Sequence, residues 1–299
     1  MKKIGFVGLG LMGSRMAKNL ATKGFTVHAY NRTPARVAEL ASVGVIAAET
    51  PAALAAEVDA FCTCVADPAA LREVALGPQG LLTGARKGQL FIDFSTVSAE
   101  LTQQLETTFA ERGVDFAEAP VTGSKNGAEK GTLVIMTGCS PQTFARCAPI
   151  FEAVGEKAIH CGPVGAATQV KLAGNVLIAA MLQGLSEGML LTAKAGVDVR
   201  KLLEVVAASG FRSPYFDFKG KQILERDFGT HFSIDLMHKD LGLFLESAAK
   251  EKVPTPTAAS LRETYNLARA AGKGASDIAA VITAFETLAG IEVKAPQGK

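Results

Sequence analysis

The distribution of apolar residues changes character once along the chain. Up to about residue 160, short apolar runs alternate with segments of helical period. Residues 4–7, 26–30, 60–65, 90–93, 114–117 and 133–136 read as strands, each a short run rich in β-branched and aromatic side chains. Between them, residues 11–23, 34–41 and 98–112 space their apolar positions three and four apart. The second of these follows Thr33, a suitable N-cap before a proline at the first helical position, and the third opens on Ser98. Such alternation predicts a parallel sheet with helices on both faces.

Past Gly165 the strand signals stop. Residues 166–195 read as one helix, about 45 Å long at ~1.5 Å per residue. It is apolar almost all round, so it is expected to be buried between partners. Its uncharged stretch, 172–186, is 15 residues, short of the roughly 20 that cross a membrane. Helical periods continue over 199–209, 220–225, 234–250, 256–271 and 276–288, and the tail 294–299 is expected to fray. The architecture predicted is α/β: a doubly wound N-terminal domain (1–164), a long interdomain helix (165–195) and an all-α C-terminal domain for substrate binding and oligomerisation (196–299).

Composition narrows the function. Of 299 residues, 48% are hydrophobic and 20% charged, which excludes a disordered chain. With 31 basic against 29 acidic residues the net charge is +2, so no nucleic-acid partner is expected. Five cysteines, Cys62, Cys64, Cys139, Cys147 and Cys161, make no disulfide framework and suit a reducing, cytoplasmic setting. The N-terminus runs straight into a strand, without the apolar region of a signal peptide, and no membrane attachment is expected. His28, His160, His231 and His238 give no ligand pair on one helix face, so no metal is expected.

Gly8-Leu9-Gly10-Leu11-Met12-Gly13 matches G-x-G-x-x-G directly after a strand and at the opening of a helix, the context of a Rossmann-like dinucleotide turn. Gly8 permits the tight turn, Gly10 lets a pyrophosphate approach the backbone, and Gly13 allows strand and helix to pack closely. The second strand ends in Tyr30-Asn31-Arg32-Thr33. It lacks the carboxylate that accepts from an NAD ribose, while the Arg32 guanidinium can fork onto a 2′-phosphate, so NADP(H) is the expected cofactor. The plainer alternative for Arg32 is a solvated loop residue.

Lys171 and Asn175 lie four apart, on one helix face. Partial desolvation and the positive helix end both disfavour an ammonium there, which suits Lys171 to exchanging a proton with a carbonyl oxygen. A snorkelling lysine beside a packing asparagine explains the spacing equally well. Ala119-Pro120-Val121-Thr122-Gly123-Ser124-Lys125 follows a strand, where doubly wound sheets bind ligands. Thr122, Gly123 and Ser124 can donate to a carboxylate or form an unliganded turn.

From Ile4 to about Leu288 the chain resembles the β-hydroxyacid dehydrogenase family, which includes 3-hydroxyisobutyrate dehydrogenase, tartronate semialdehyde reductase and the glyoxylate/succinic semialdehyde reductases. The resemblance rests on the Gly8 to Gly13 fingerprint, Phe94-Ser95-Thr96, Ala119-Pro120-Val121-Thr122-Gly123, the pair Lys171 and Asn175, and Phe232 through His238-Lys239-Asp240-Leu241. It implies that Lys171 is the general acid/base, with Asn175 beside it. Thr122, Gly123 and Ser124 would hold substrate, Phe232 would wall its pocket, and Asp240 would stand near Lys171 or the substrate. Leu11, Met12, Asn31, Arg32, Thr33, Val65, Thr96 and Lys239 would join the glycines at the cofactor.

Thr122-Gly123-Ser124 in place of Ser-Gly-Gly, and Gly174-Asn175 in place of two asparagines, look more like the glyoxylate/succinic semialdehyde reductase branch, which favours NADPH. Arg212 is a further candidate for a distal substrate carboxylate, although a surface role fits it better. Imine reductases of this architecture usually carry Asp or Tyr in place of the lysine, so Lys171 speaks against that activity. It also speaks against a non-catalytic NADP-binding module. The partners expected are a small carboxylate-bearing aldehyde or keto acid and further copies of the chain, as a homodimer or homotetramer.

Overall fold

The structure, a computed structural model, describes residues 1–295. The chain divides into two compact units, Met1–Leu172 and Ala173–Lys299. The first is built on a nine-stranded sheet. Its strands are β1 (Lys3–Val7), β2 (Thr26–Tyr30), β3 (Ile46–Ala47), β4 (Ala60–Thr63), β5 (Leu90–Asp93), β6 (Asp115–Glu118), β7 (Val121–Thr122), β8 (Leu133–Gly138) and β9 (Gly155–Gly162). They run in the order β3-β2-β1-β4-β5-β6-β8-β7, with β9 also paired to β8.

Strands β1 to β6 are mutually parallel, as the alternating pattern predicts. The parallel run ends at β8, which runs antiparallel to β6 and β7 and parallel to β9. The helix that precedes β8, Ser124–Lys130, is about 10 Å long at ~1.5 Å per residue. It is too short to carry the chain back to the start of β6.

Period-two alternation sorts the strand side chains onto two faces. Ile4, Phe6, Ala60, Cys62, Leu90, Ile92 and Ala117 join one buried cluster, covered by helices Gly13–Thr22 and Pro141–Val154. Their neighbours Val7, Phe61, Phe91 and Phe116 join the other, under helices Pro51–Glu57, Pro68–Leu76 and Ala99–Ala110. On that second face Phe91 meets Phe61, Phe109 and Phe116 at ring-centroid distances of 5.2, 4.8 and 5.0 Å.

Some local expectations need correction. Thr33 does not cap a helix over residues 34–41. The element is Ala35–Ala38 with Pro34 at its cap and no side-chain cap bond, followed by a 3-10 turn at Ala41–Val43. Helix Pro141–Val154 escapes a reading by composition because Pro149 lies inside it. Ser140 nonetheless caps it, its Oγ accepting from Thr143 N at 3.1 Å.

The long helix spans Ala166–Lys194, and the boundary between the two units falls within it, after Leu172. Within this chain it is buried only in part. Ala179, Leu182, Leu185 and Met189 enter the core of the second unit, but Val170, Leu177 and Leu191 are exposed. By length and composition alone it could cross a membrane, with a window of mean hydropathy 1.5 of which a third (33%) is buried inside the protein.

The second unit is all helical. Val199–Ala208, Pro214–Glu225, Ile234–Lys250, Pro256–Ala270 and Val281–Ala289 follow the long helix. They close over Ile223, Ile234, Met237, Leu241, Leu261 and Tyr265. Of the expected frayed tail, residues 296–299 lie outside the described residues. Ala295 is anchored, its N donating to Leu224 O at 3.1 Å.

Candidate functional site

The glycine turn has the geometry the fingerprint requires. Gly8 sits at φ +95°, and its N–H donates to Tyr30 O at 3.0 Å. A Cβ on Gly8 would fall 2.4 Å from Cys64 O, and one on Gly13 would fall 1.9 Å from Gly8 O. A Cβ on Gly10 would meet nothing within 4 Å. Two glycines therefore serve the turn's own packing, while the third leaves open the place where a ligand would meet backbone. Helix Gly13–Thr22 has no side-chain cap and no acidic residue in its first turn. Ser14 N, Arg15 N and Met16 N donate to the turn's own carbonyls, Gly10 O and Met12 O, so an anion would meet the positive helix end and the glycine-turn backbone ahead of them. The residues present fit a dinucleotide pyrophosphate.

Asn31 braces the turn, its Oδ1 accepting from Leu9 N at 2.9 Å and its Nδ2 donating to Thr33 O at 3.1 Å. Arg32 is exposed, with no hydrogen bond or ion pair to the described residues. Leu11 is exposed and Met12 half-buried. Val65 and Thr96 follow β4 and β5 at the same sheet edge. A buried network that sequence reasoning missed shapes their loops. Thr63 Oγ1 and Ser95 N donate to Asp93 Oδ1 at 2.6 and 3.0 Å, and Val65 N donates to Ser95 Oγ at 3.0 Å.

Thr122 ends β7, and Gly123 and Ser124 follow with φ of +133° and +58°. Two successive positive φ values, one on a serine, mark a backbone held in an unfavourable conformation. Thr122 and Gly123 are exposed, whereas Ser124 and Lys125 are half-buried.

Another missed residue is Glu118, at the end of β6. Its Oε1 accepts from Gly165 N at 2.7 Å, Ala167 N at 2.8 Å and Thr168 N at 3.3 Å, and its Oε2 accepts from Thr168 Oγ1 at 2.6 Å. The carboxylate thus caps the long helix from the sheet. Burial pushes its pKa up, and the Thr168 hydroxyl and the amides oppose that shift. A lone carboxylate in the apolar run Phe116-Ala117-Glu118-Ala119 is the sequence signal that could have found it. Lys171 lies three residues beyond Thr168 and is half-buried.

In the second unit, Asn175 Nδ2 donates to Asp240 Oδ2 at 2.6 Å, and Asp240 Oδ1 lies 2.9 Å from Lys239 Nζ. The structure therefore brings Asn175, Lys239 and Asp240 together. Phe232 is half-buried, and its N–H donates to Asp277 Oδ2 at 3.1 Å. Asp277 is wholly buried and is also bonded to Lys219 Nζ at 2.5 Å. Burial holds the Lys219 pKa down, and the Asp277 charge opposes this. Arg212 pairs with Asp217 at 3.1 Å near the start of its helix. Among the described residues, no group of three or more His, Cys, Asp or Glu side chains could hold a metal ion.

Comparison with known proteins supplies the context. Residues 3–162 match a family model described as the NAD binding domain of 6-phosphogluconate dehydrogenase. Residues 165–285 match one described as NAD-binding of NADP-dependent 3-hydroxyisobutyrate dehydrogenase. The chain is 36% identical over 296 residues to 2-(hydroxymethyl)glutarate dehydrogenase of Eubacterium barkeri, covering 99% of this chain and 98% of that one. It is 33% identical over 283 residues to the chloroplastic glyoxylate/succinic semialdehyde reductase 2 of Arabidopsis thaliana, covering 95% and 79%. Identity to the cytokine-like nuclear factor N-PAC of Xenopus tropicalis is 34% over 284 residues, which covers 95% of this chain and spans 53% of that longer protein. A crystal structure of 3-hydroxyisobutyrate dehydrogenase from Salmonella typhimurium superposes with a TM-score of 0.86 at 27% identity, covering 95% and 99%.

Proposed function

The chain belongs to the β-hydroxyacid dehydrogenase family, NAD(P)-dependent oxidoreductases acting on CH–OH groups, and on that premise we propose that it reduces small carboxylate-bearing aldehydes and keto acids, such as glyoxylate and succinic semialdehyde, with NADPH. One observation carries the reading. The helix bearing Lys171 is fastened by its first turn to Glu118, at the carboxyl end of β6. The glycine turn follows β1 at the same end of the parallel strands, three strand spacings away by way of β4 and β5, or about 14 Å at ~4.8 Å per spacing. The lysine and the dinucleotide turn therefore belong to one edge of one sheet, where such sheets bind ligands.

When bound, the nicotinamide supplies the two electrons that reduce the carbonyl carbon. Lys171 gives a proton to the carbonyl oxygen, and takes one from the hydroxyl in the reverse direction. Thr122, Gly123 and Ser124 offer a hydroxyl, an amide and a second hydroxyl to the substrate carboxylate. Asn175 orients the reacting group from the next turn of the helix, its amide held by Asp240. Arg32 selects the 2′-phosphate, with Asn31 and Thr33 beside it and Val65, Thr96 and Lys239 further along the cofactor. Phe232 and Asp240 complete the substrate residues. A reducing, cytoplasmic setting and a homodimer or homotetramer belong to the same reading. The five cysteines, none of them in a disulfide, and the exposed Val170, Leu177 and Leu191, seven and fourteen residues apart, support those two points.

A non-catalytic NADP-binding module is the second reading, favoured by the likeness to the nuclear factor. The test is NADPH oxidation with glyoxylate, succinic semialdehyde and tartronate semialdehyde, with NADP+ reduction by 3-hydroxyisobutyrate and 2-(hydroxymethyl)glutarate as the reverse arm. Turnover fastest on the first two is expected. Cofactor binding without turnover on any of the five would favour the module instead.

A further inference from the structure

We infer that Glu118 is a positioning residue for the proton-transferring lysine: its carboxylate fixes the first turn of the long helix to the sheet edge and offsets the positive helix end beneath Lys171. The inference rests on the reading of Lys171 as general acid/base. Its geometry is independent of that reading.

The carboxylate is a built feature. It is 1% exposed and accepts four hydrogen bonds, three from amides at the helix start and one from a side chain in the same turn. The neighbouring strand is cut away to admit it, because a Cβ on Gly138 would fall 2.2 Å from Glu118 Oε1. A helix start can be capped by its own serine or threonine, as Ser98 and Ser140 do for helices elsewhere in this unit. A buried charge brought from another strand costs more desolvation than such a cap and needs a reason. The chain from Glu118 continues directly into Ala119-Pro120-Val121-Thr122-Gly123. One carboxylate thus ties the start of the loop proposed for substrate to the start of the helix proposed for proton transfer.

Its charge also acts. The N-terminal end of a helix is positive, which disfavours an ammonium in the first turns. Thr168 and Lys171 are separated by about 4.5 Å along the helix axis at ~1.5 Å per residue. An anion bonded to Thr168 therefore counters the helix end at short range and favours the protonated lysine that carbonyl reduction needs. Among the described residues, Glu118 acts on the thiols of Cys139 and Cys161, and Glu106 also acts on Cys139. Burial pushes the Cys139 pKa up to about 12 and raises that of Cys161, so neither thiol charges near neutrality.

Glu118→Gln keeps the shape and can still accept from the amides, but it removes the charge. The direct measurement is an NMR titration of side-chain 13C-labelled lysine in the full chain, with the Lys171 signal assigned by its loss in Lys171→Ala. The Lys171 pKa is expected to fall by about 0.5 to 1 unit in Glu118→Gln. The alkaline limb of kcat for aldehyde reduction should move to lower pH by the same amount. At the plateau kcat should drop roughly threefold to tenfold, with NADPH affinity within about threefold of wild type. An unchanged Lys171 pKa overturns the inference, because a purely structural role leaves it in place.

If Glu118→Gln does not fold, Thr168→Val takes its place. It removes the donor to Oε2, so the carboxylate holds its proton more strongly, and the inflection that Glu118 ionisation imposes on the Lys171 13C signal moves to higher pH. An inflection that is missing or stays in place overturns the inference. Full kcat in Lys171→Ala would instead overturn the catalytic reading, a result separate from either titration.

Discussion

The Asn175 amide nitrogen donates to the Asp240 carboxylate at 2.6 Å, and each side chain is 2% exposed. The bond fixes which way the amide points. Nδ2 is committed to Asp240, so the carbonyl Oδ1 is the atom left to face other groups. Lys239 Nζ, 2.9 Å from the second Asp240 oxygen, balances the buried charge.

Removing Asp240 strands a buried amide donor. Asp240→Ala is expected to destabilise the chain by about 1–3 kcal/mol, the usual cost of an unsatisfied buried group. In a double-mutant cycle with Asn175→Ala, followed by calorimetry, the two changes should be strongly non-additive. Additive losses would mean that the pair is not coupled.

The three fingerprint glycines are expected to separate. Gly10→Ala meets open space and should leave Tm within about 2 °C of wild type, while weakening NADP(H) binding at least tenfold. Gly13→Ala would drive a Cβ to 1.9 Å from Gly8 O and should cost roughly 2 kcal/mol or more of stability. Thermal melts and cofactor titrations on the two variants distinguish these outcomes. Equal melting temperatures would contradict the different roles assigned to the two positions.

Arg32 is exposed at the end of β2, and its replacement should change the choice of cofactor more than the fold. For Arg32→Asp, kcat/KM with NADPH is expected to fall by about 10² and that with NADH to rise, since a carboxylate repels the 2′-phosphate and accepts from a free ribose hydroxyl. If both cofactors keep their wild-type ratio, Arg32 is an ordinary loop residue.

Lys171→Ala should lower kcat by roughly 10² or more with cofactor affinity unchanged, the signature of a lost general acid. Single-turnover kinetics at saturating NADPH isolate that step. Near-normal kcat would end the assignment.

The raised pKa of Glu118 also has a consequence for stability. Its ordinary value is 4.5, and burial raises it in the folded chain. Between the two values the folded state binds more protons than the unfolded one, so stability falls as pH rises through that window and is gained as pH falls through it. Glu118→Gln lacks this titration. The Tm difference, wild type minus Glu118→Gln, should therefore grow in favour of the wild type as the pH is lowered towards 4.5. A difference that is flat with pH, or that shrinks, would be inconsistent with a buried, reluctantly charged carboxylate.

The residues that carried the sequence reading act locally. A G-x-G-x-x-G between a strand and a helix, alternating apolar positions in β1, β4 and β5, and a helical period from 166 onward each follow from near neighbours in the chain. What was not legible depends on partners far away. Strand β9 is mostly solvent-facing, with Glu156, Lys157 and His160 along it, and it exists because β8 supplies its hydrogen bonds. Glu118 caps a helix that begins 48 residues later, and Asp277 bonds the backbone of Phe232, 45 residues earlier. No window of sequence contains either pair. Which side of the long helix the chain's own core covers was not legible for a related reason: composition reports how apolar a helix is, and neighbours decide which side is covered.

The two clusters that flank the sheet make sequence neighbours into strangers. Phe61 and Cys62 are joined by a peptide bond, yet they settle into separate packings on opposite sides of a layer of backbone. Sliding β4 by one residue would exchange their surroundings, driving a phenyl ring into a niche sized for a thiol and leaving a hollow among the aromatic rings. The alignment of the central strands is thus policed from both sides at once, and each side can drift in evolution with little regard for the other.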